Sequence, residues 1–533
     1  MSVLVISGLG PGHLEVEDIS GCGIDKSLLK EELNYYYNID GKDCSPFNLV
    51  YSTASQKEQV LRNDETIIPD MISSVLKSVL SQDNIDYEYV PIKHIWEDSS
   101  LDVIKDVDIV CLSTTFMWSA KMLDKAIKWI KKNCSYRFLI LGGQYSTLKS
   151  NYIINNYSDV DYIIAGDGEY SLPLLIKFIS QENEINSMCD IPNLVYKDES
   201  GTILKTLSKF EDIDELTYPK FNEHNGTVPY ISMKGCPYSC KFCALPVSTP
   251  KWRYLSAERI IEDWKNYNTL HGVKHIDIND STFFIPFERL MKVLKYLPDL
   301  GISWEANSRV NIPIDKNLVN KLEKANCKSL YFGFESMSEA VLGYINKRTT
   351  PEQNRKVNAY FKESKINTMM SFIVGFPGET PKEFNKTREY LMNEHYGHFN
   401  IYVFEFEDEI MPIWQDREKF HLQVFEDEDS FSWSHGGLNW SHCGMNSLMA
   451  NKLRSQTIKD VRLSNSKAIH CSWQRYFQWP LLPEKSRKIN LEVEKLIDRL
   501  IFSIKDFKNE VERKNEIAKI IKQLSVYGIS PSE

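Results

Sequence analysis

The stretch Gly235-Cys-Pro-Tyr-Ser-Cys-Lys-Phe-Cys243 places three cysteines close together in the chain. Cys236, Cys240 and Cys243 stand at the spacing C-x3-C-x2-C, after an apolar strand-like run and before a helix-like one. A [4Fe–4S] cluster normally takes four thiolates, so three in one loop would leave one iron open to a small chelating ligand. We therefore predict that these three cysteines bind an iron–sulfur cluster.

Two other interpretations of the cysteine loop remain open. A structural zinc site generally takes four protein ligands in paired spacings, and no second C-x2-C is found in this sequence. Alternatively, the three cysteines are unrelated and buried, although the chain has only 11 cysteines among its 533 residues.

Length and composition predict a soluble protein of several domains. The chain has 533 residues, of which 42% are hydrophobic and 26% are charged. It shows neither a long apolar run nor a signal-peptide pattern, so we expect no membrane span. The net charge of -10 makes nucleic acid an improbable partner. Cysteines without a secretory signal indicate thiols in a reducing cytosol, hence a cytoplasmic protein.

Strand-like and helix-like segments alternate through residues 1–185, as in a flavodoxin-like or Rossmann-like parallel sheet. Ligands of such sheets bind at the carboxyl ends of the strands. The predicted strands Val107–Ser113, Phe138–Leu141 and Tyr162–Ala165 end in small residues or in glycine turns. We therefore expect a ligand site at this edge of the sheet.

The rest of the chain divides into three further segments. Residues 186–228 are polar and contain one strand-like run, which indicates a linker. Residues 229–425 repeat strand and helix with the period of a partial TIM-type (β/α)6 barrel. Residues 426–533 are predicted to be mainly α-helical, with helices over about 445–465 and 490–524.

Two strand ends in the predicted barrel carry further motifs. Leu330-Tyr-Phe-Gly-Phe-Glu-Ser336 ends in G-x-E-S, and Ser371-Phe-Ile-Val-Gly-Phe-Pro-Gly-Glu-Thr380 contains I-x-G-x-P-G-E-T. Each motif also has a structural interpretation, in which Gly375 and Pro377 simply form a turn and Glu335 is an ion-pair partner.

Together the cysteine loop and these two motifs resemble the radical SAM enzymes. Phe242 matches the aromatic residue of the C-x3-C-x-aromatic-C form of that family. The resemblance implies that S-adenosylmethionine (SAM) chelates the open iron of a [4Fe–4S] cluster. The residues that it implies as SAM contacts are Phe242, Arg309, Gly333, Glu335, Ser336, Gly375 and Pro377.

The first segment resembles the cobalamin-binding domain that precedes many radical SAM cores. The resemblance rests on D-I-V-C-L-S-T, L-I-L-G-G and D-Y-I-I-A-G-D-G-E, in that order. The cobalamin contacts that it implies are Ser113, Thr114, Gly142, Gly143, Gly166, Gly168 and Glu169. Because D-x-H-x-x-G is absent, we expect no histidine on cobalt. The alternative is a flavodoxin-like domain without a ligand.

The resemblance implies an enzyme, a cobalamin-dependent radical SAM C-methyltransferase. Such an enzyme would methylate an unactivated carbon of a natural product, peptide or lipid through a 5′-deoxyadenosyl radical and methylcobalamin. It would take electrons from a donor of the flavodoxin or ferredoxin type. The alternatives are a rearrangement or cyclisation without methyl transfer, and a non-enzymatic cobalamin-responsive binding protein.

The segment Ser432–Cys443 concentrates tryptophan, histidine and glycine. We interpret it as a cover over the substrate, with His435 and His442 as candidate substrate contacts. The alternative is a packed satellite cluster that holds the C-terminal helices together.

Overall fold

The computed structural model describes residues 1–10, 37–39, 42–44, 69–100, 106–181, 187–221, 224, 226–406, 409–425, 440–471, 482 and 484–529. The chain forms two compact units. The first unit comprises Met1–Glu15, Ile68–Tyr238 and Ala244–Val273, and the second comprises Val16–Ile67, Ser239–Cys243 and Lys274–Glu533. The domain boundaries given above stay a prediction.

A seven-stranded, mainly parallel sheet forms the centre of the first unit. β1 (Val3–Ser7) buries all five of its residues, because a parallel strand covered on both faces needs a continuous apolar run. A hairpin of β2 (Tyr37–Ile39) and β3 (Lys42–Cys44) stands between β1 and β4 (Glu88–Pro91) in the chain. The later strands of this unit are β5 (Asp106–Ser113), β6 (Ser135–Gly142), β7 (Tyr162–Ile164), β8 (Leu194–Lys197), β9 (Ile203–Lys205), β10 (Thr227–Tyr230), β11 (Met233–Lys234) and β12 (Arg253–Tyr254).

The strand order in this sheet is β4-β1-β5-β6-β7-β8-β9, and only β8 and β9 run antiparallel to their neighbours. The helices of the unit are α1 (Met71–Gln82), α2 (Lys93–Trp96), α3 (Ala120–Asn133), α4 (Gln144–Leu148), α5 (Ser150–Asn156), α6 (Ser171–Ile179), α7 (Leu245–Ser248) and α8 (Ala257–His271). The segment predicted as a linker thus adds two strands to the sheet, where one was expected.

The second unit contains six parallel strands alternating with helices. Its strands after the β2–β3 hairpin are β13 (His275–Ile278), β14 (Ser303–Ser308), β15 (Cys327–Glu335), β16 (Asn367–Val374), β17 (Tyr396–Val403), β18 (Gln423–Val424), β19 (Trp440–Ser441) and β20 (Lys467–His470). The parallel strands follow the order β13-β14-β15-β16-β17-β20. With this second parallel sheet the predicted α/β fold class is confirmed.

The second unit also contains ten described helices. They are α9 (Phe287–Tyr296), α10 (Lys316–Lys324), α11 (Glu339–Ile345), α12 (Pro351–Lys362), α13 (Pro381–Asn393), α14 (Arg417–Phe420), α15 (Ser447–Leu463), α16 (Arg487–Ile501), α17 (Ser503–Asp506) and α18 (Glu510–Ser525). On β15, Phe332 is buried with its ring 5.5 Å from that of Phe361 in α12. Tyr331 and Gly333 project from the opposite face, because side chains alternate along a strand.

The C-terminal region is helical as predicted, but it also supplies a strand of the parallel sheet. β20 pairs with β17, and the sequence analysis missed it because Lys467–His470 is too short for a recognisable pattern. The helix predicted over 490–524 is three helices, α16, α17 and α18. None of the described helices is long and apolar enough to cross a membrane.

A buried ion network connects α15 to α16 and α17. The guanidinium of Arg462 donates to Asp498 and to Asp506, each at 2.9 Å, and lies 3.9 Å from the ring centroid of Phe502. All three charged side chains are at most 4% exposed.

We predict that Arg462→Met lowers the free energy of unfolding by about 3–5 kcal/mol, because it leaves two buried carboxylates without their cation. Urea denaturation followed by circular dichroism measures this change. As a control, Lys514→Met breaks the exposed Lys514–Glu510 pair (2.8 Å), which should cost less than about 1 kcal/mol. Equal effects of the two substitutions would contradict the prediction.

Candidate active site

The cysteine loop begins at a turn that only glycine fits. Gly235 follows β11 and has φ +78°, a left-handed conformation that side chains disfavour. A Cβ on this residue would lie 2.8 Å from the carbonyl oxygen of Thr249 and 2.9 Å from that of Lys251. The turn therefore allows the loop to pass close to the backbone that leads into β12.

The second half of the loop is fixed to the second unit by backbone hydrogen bonds. The N–H of Lys241 donates to Ile345 (2.9 Å), and the carbonyl of Lys241 accepts from Ile413 (3.0 Å). The ammonium of Lys241 also pairs with Asp416. Cys240 is buried, whereas Cys236 and Cys243 are partly exposed.

Arg309 contacts one of the three cysteines directly. Its Nη1 donates to Cys240 Sγ at 3.1 Å, its Nε donates to Asn311 Oδ1 at 3.1 Å, and its Nη2 donates to the carbonyl of Lys347. The side chain stands just after β14 and is buried.

Glu335 ends β15 in an unusual backbone conformation, with φ +60° at a shift in the register to β16. Its Oε1 lies 2.5 Å from Lys347 Nζ, and both side chains are about 5% exposed. A Cβ on Gly333 would lie 2.3 Å from Glu335 Oε1. A side chain at residue 333 would therefore displace the ends of this buried ion pair.

Ser336 and Phe242, which the resemblance also implies as SAM contacts, contact other residues of the protein. Ser336 is fully buried, and its hydroxyl accepts a hydrogen bond from the Ser338 N–H at 3.1 Å. The ring of Phe242 faces Lys347, with Nζ 5.8 Å from its centroid. Lys347, which the sequence analysis missed, thus connects the cysteine loop with Glu335.

The turn of residues 375–379 rests on the segment that follows β19. His442 Nε2 lies 3.2 Å from the carbonyl of Gly375, and its Nδ1 accepts from Gly378 (3.3 Å) and Gly444 (3.0 Å). The histidine is therefore the neutral Nε2–H tautomer, and burial lowers its pKa to about 4. The Trp440 ring stacks on the imidazole of His442, with 5.2 Å between the ring centroids.

The glycines of this turn make room for aromatic side chains. A Cβ on Gly375 would lie 2.4 Å from Trp440, and one on Gly378 would lie 2.6 Å from Phe420. Both ring nitrogens of His442 are in hydrogen bonds to backbone atoms, and its predicted contact with substrate stays a prediction. His435 lies outside the described residues.

Glu379 closes the same turn from inside the protein. It is fully buried, and its Oε2 accepts from the Gly375 N–H at 2.6 Å. Burial raises its pKa to about 8. The carboxyl therefore holds a proton at neutral pH, and the turn contains no buried charge from this residue.

Acidic residues lie on the face of the parallel sheet opposite the helices. Asp277 on β13 and Glu305 on β14 are register partners, and Glu305 accepts a hydrogen bond from Ser329 on β15 at 2.5 Å. Burial, followed by the charge of Glu305, raises the pKa of Asp277 to about 8. The two carboxyls thus share one face of the sheet, which no motif in the sequence predicted.

In the first unit, the strand ends predicted to bind cobalamin lie side by side. Ser113 and Gly142 are register partners, and the Thr114 hydroxyl donates to the Gly142 carbonyl at 2.8 Å. A Cβ on Gly143 would lie 2.6 Å from the Thr115 nitrogen, whereas one on Gly142 would meet nothing within 4 Å. Gly142 thus leaves open space at this edge.

The turn Gly166–Glu169 is held by ion pairs within the same unit. Asp167 pairs with Lys234 at 3.2 Å and with Arg253, and Glu169 also pairs with Lys234. Burial, followed by the charge of Glu169, raises the pKa of neighbouring Glu211 to about 7. Glu169, implied as a cobalamin contact, thus binds β11, the strand that leads into the cysteine loop.

Comparison with known proteins agrees with the residues that form this site. The Radical SAM superfamily matches residues 230–391, which include all three cysteines, Glu335 and the 375–379 turn. An uncharacterized methyltransferase of Pyrococcus horikoshii is 29% identical over 56% of this chain and 67% of its own length. An anaerobic magnesium-protoporphyrin IX monomethyl ester cyclase of Rubrivivax gelatinosus is 24% identical over 46% of this chain and 47% of its own.

A solved structure extends the likeness to nearly the whole chain. The radical SAM methyltransferase TsrM of Kitasatospora setae, with cobalamin and a [4Fe–4S] cluster bound, aligns with 98% of this chain and 99% of its own. The TM-score is 0.59 at 13% identity, which supports a shared fold. The predicted radical SAM core is thereby confirmed: residues 230–391 match the Radical SAM superfamily, and the chain has a fold like that of TsrM.

Proposed function

We propose that this protein is a cobalamin-dependent radical SAM methyltransferase. The observation that carries the proposal is the cysteine loop, which lies inside the matched radical SAM region. Arg309 donates a hydrogen bond to Cys240 of this loop at 3.1 Å. The substrate would be a carbon of a natural product, peptide or lipid. The chain would act in a reducing cytosol and take electrons from a donor of the flavodoxin or ferredoxin type.

The residues of the loop fit an iron–sulfur cluster. Among the described residues no three Cys, His, Asp or Glu side chains converge on one point, as a single ion would require. A cluster binds each thiolate through a different iron, so Cys236, Cys240 and Cys243 need not ligate the same metal ion. When bound, the cluster, SAM and cobalamin would together supply the radical and the methyl group.

Residues near the loop would orient SAM. Oε1 of Glu335 is used by Lys347, and its second oxygen remains for an ammonium or a hydroxyl of the ligand. The 375–379 turn would border the adenine, with His442 and Glu379 fixing its backbone from the protein side. These residues would hold the ligand in place, which lowers the barrier by orientation.

The edge formed by Ser113, Gly142 and Gly143 fits a large flat cofactor, since Gly142 leaves the space beyond it open. We propose that cobalamin binds there. Thr114 would support this edge through its hydrogen bond to the Gly142 carbonyl. Glu169 would support it through its ion pair with Lys234.

Cyclisation or rearrangement without methyl transfer is the second candidate, favoured by the likeness to the cyclase of Rubrivivax gelatinosus. Incubation with SAM labelled in its methyl group distinguishes the two. Label in the product indicates methyl transfer, whereas 5′-deoxyadenosine with an unlabelled product indicates cyclisation. The absence of both would leave only a binding function.

We predict that anaerobically reconstituted protein contains about four iron atoms per chain. Replacing Cys236, Cys240 and Cys243 together with alanine should remove both the iron and SAM cleavage. The matched control replaces Cys189 and Cys443, both exposed, and should keep both properties. Full iron content in the triple variant would contradict the assignment.

We predict that cobalamin binds without histidine on cobalt, because the chain lacks D-x-H-x-x-G. Electron paramagnetic resonance of the cob(II)alamin form should show no nitrogen superhyperfine splitting from a lower ligand. A clear nitrogen triplet would exclude this prediction.

Glu335 allows the ion-pair role and the SAM role to be measured separately. Glu335→Gln alone should lower the free energy of unfolding by about 3–5 kcal/mol, because Lys347 becomes an unpaired buried charge. Combining it with Lys347→Met should restore stability to within about 1 kcal/mol. If the carboxylate also binds SAM, the SAM dissociation constant of the double variant should rise about ten- to a hundredfold.

The measurements are urea denaturation and a SAM binding isotherm at constant iron content. Glu339→Gln, an exposed substitution at the start of α11, is the control and should leave both values unchanged. A double variant whose SAM affinity stays within twofold of the parent would show that Glu335 is structural only.

A further inference from the structure

The position of Arg309 is fixed from three directions. Nε donates to Asn311, Nη1 to Cys240 Sγ, and Nη2 to the Lys347 carbonyl. The side chain is 6% exposed. Because the guanidinium is planar and always protonated, three bonds in its plane leave it little freedom to turn away from the thiol.

Lys347 places a second buried cation beside the same loop. Its Nζ lies 5.8 Å from the ring centroid of Phe242, the residue before Cys243, and it is compensated by Glu335 at 2.5 Å. The lysine charge is thus paired with a carboxylate, whereas the Nη1 proton of Arg309 is directed at sulfur. Of these two cations, Arg309 is the one in contact with a cysteine.

We propose that Arg309 sets the reduction potential of the cluster that the cysteine loop would hold, acting through Cys240. This inference rests on the proposed function. Reduction adds one electron from a low-potential one-electron donor and no proton, so the cluster becomes more negative by one charge while Arg309 keeps its proton. A charge-assisted N–H···S bond to a ligating sulfur stabilises the more negative state and raises the potential.

This role differs from the SAM contact that the family resemblance implies for Arg309. A SAM contact predicts a loss of SAM affinity on substitution, with the potential unchanged. A bond to the cluster ligand predicts a shift of the potential that is already present without SAM. The two roles are therefore separable in one variant.

The experiment compares the parent with Arg309→Gln by redox titration of the reconstituted cluster without SAM, read by electron paramagnetic resonance. At a fixed potential we expect the ratio of reduced to oxidised cluster to fall about tenfold in the variant, because a hydrogen bond to a charged group is lost. For a one-electron couple this is a shift of about 59 mV to more negative values.

Arg348→Gln is the matched control. It removes the same charge from the residue next to Lys347, but Arg348 is exposed, so solvent screens its field. The control should titrate like the parent. Iron content and far-ultraviolet circular dichroism establish that each variant is folded and loaded.

If Arg309→Gln does not retain its cluster, Arg309→Lys takes its place. Lysine keeps the charge but cannot donate to Cys240 and to the Lys347 carbonyl from one rigid fork, so the potential should shift in the same direction by less. A loaded variant that titrates within error of the parent would overturn the inference. A parent that assembles no four-iron cluster would instead overturn the proposed function.

Discussion

The arrangement around the cysteine loop depends on placing positive charge in the protein interior. Arg309 and Lys347 are both almost fully buried, and a buried cation is costly unless it has a partner. Lys347 has a carboxylate partner in Glu335 at 2.5 Å, and Arg309 bonds to Cys240 at 3.1 Å. The loop, β14 and β15 must therefore keep their positions relative to one another, because any displacement would leave a charge unpaired.

This constraint explains why Gly333 and Glu335 are adapted to one another. The carboxylate reaches Lys347 only from a left-handed backbone, with φ +60°, and such a conformation costs about 1–3 kcal/mol in a residue other than glycine. The pair then occupies the space where a Gly333 side chain would lie. Two residues of the sequence motif are thus explained by one buried ion pair.

Much of the fold could be predicted from the sequence, because its strongest signals are local. The run of residues 3–6, Val-Leu-Val-Ile, is apolar throughout, as a doubly covered parallel strand requires. β20 was missed because only its pairing with β17 makes Lys467–His470 a strand. The apolar pattern of a buried strand can be recognised in its own residues. The pairing of a strand within a sheet depends instead on neighbours that are distant in the chain.

The site residues carry motifs that can be recognised in the sequence, but their roles toward SAM and cobalamin stay predictions. Gly375, which the resemblance implies as a SAM contact, makes room for the ring of Trp440, and Gly378 makes room for the ring of Phe420. Glu169 suggested a cofactor contact, yet it pairs with Lys234. A sequence shows that a position must be small or acidic, but the atom it faces is set by tertiary packing.

The 375–379 turn is fixed by buried groups that carry no charge at neutral pH. His442 is neutral above a pKa of about 4, and Glu379 is protonated below a pKa of about 8, in both cases because burial disfavours charge. Between these values both groups hold the backbone of the turn by hydrogen bonds while contributing no charge. The electrostatic field at this end of the sheet then comes from the charged residues near the cysteine loop. If the turn borders the adenine of SAM, as proposed, these uncharged groups would neither attract nor repel the charges elsewhere on the same ligand.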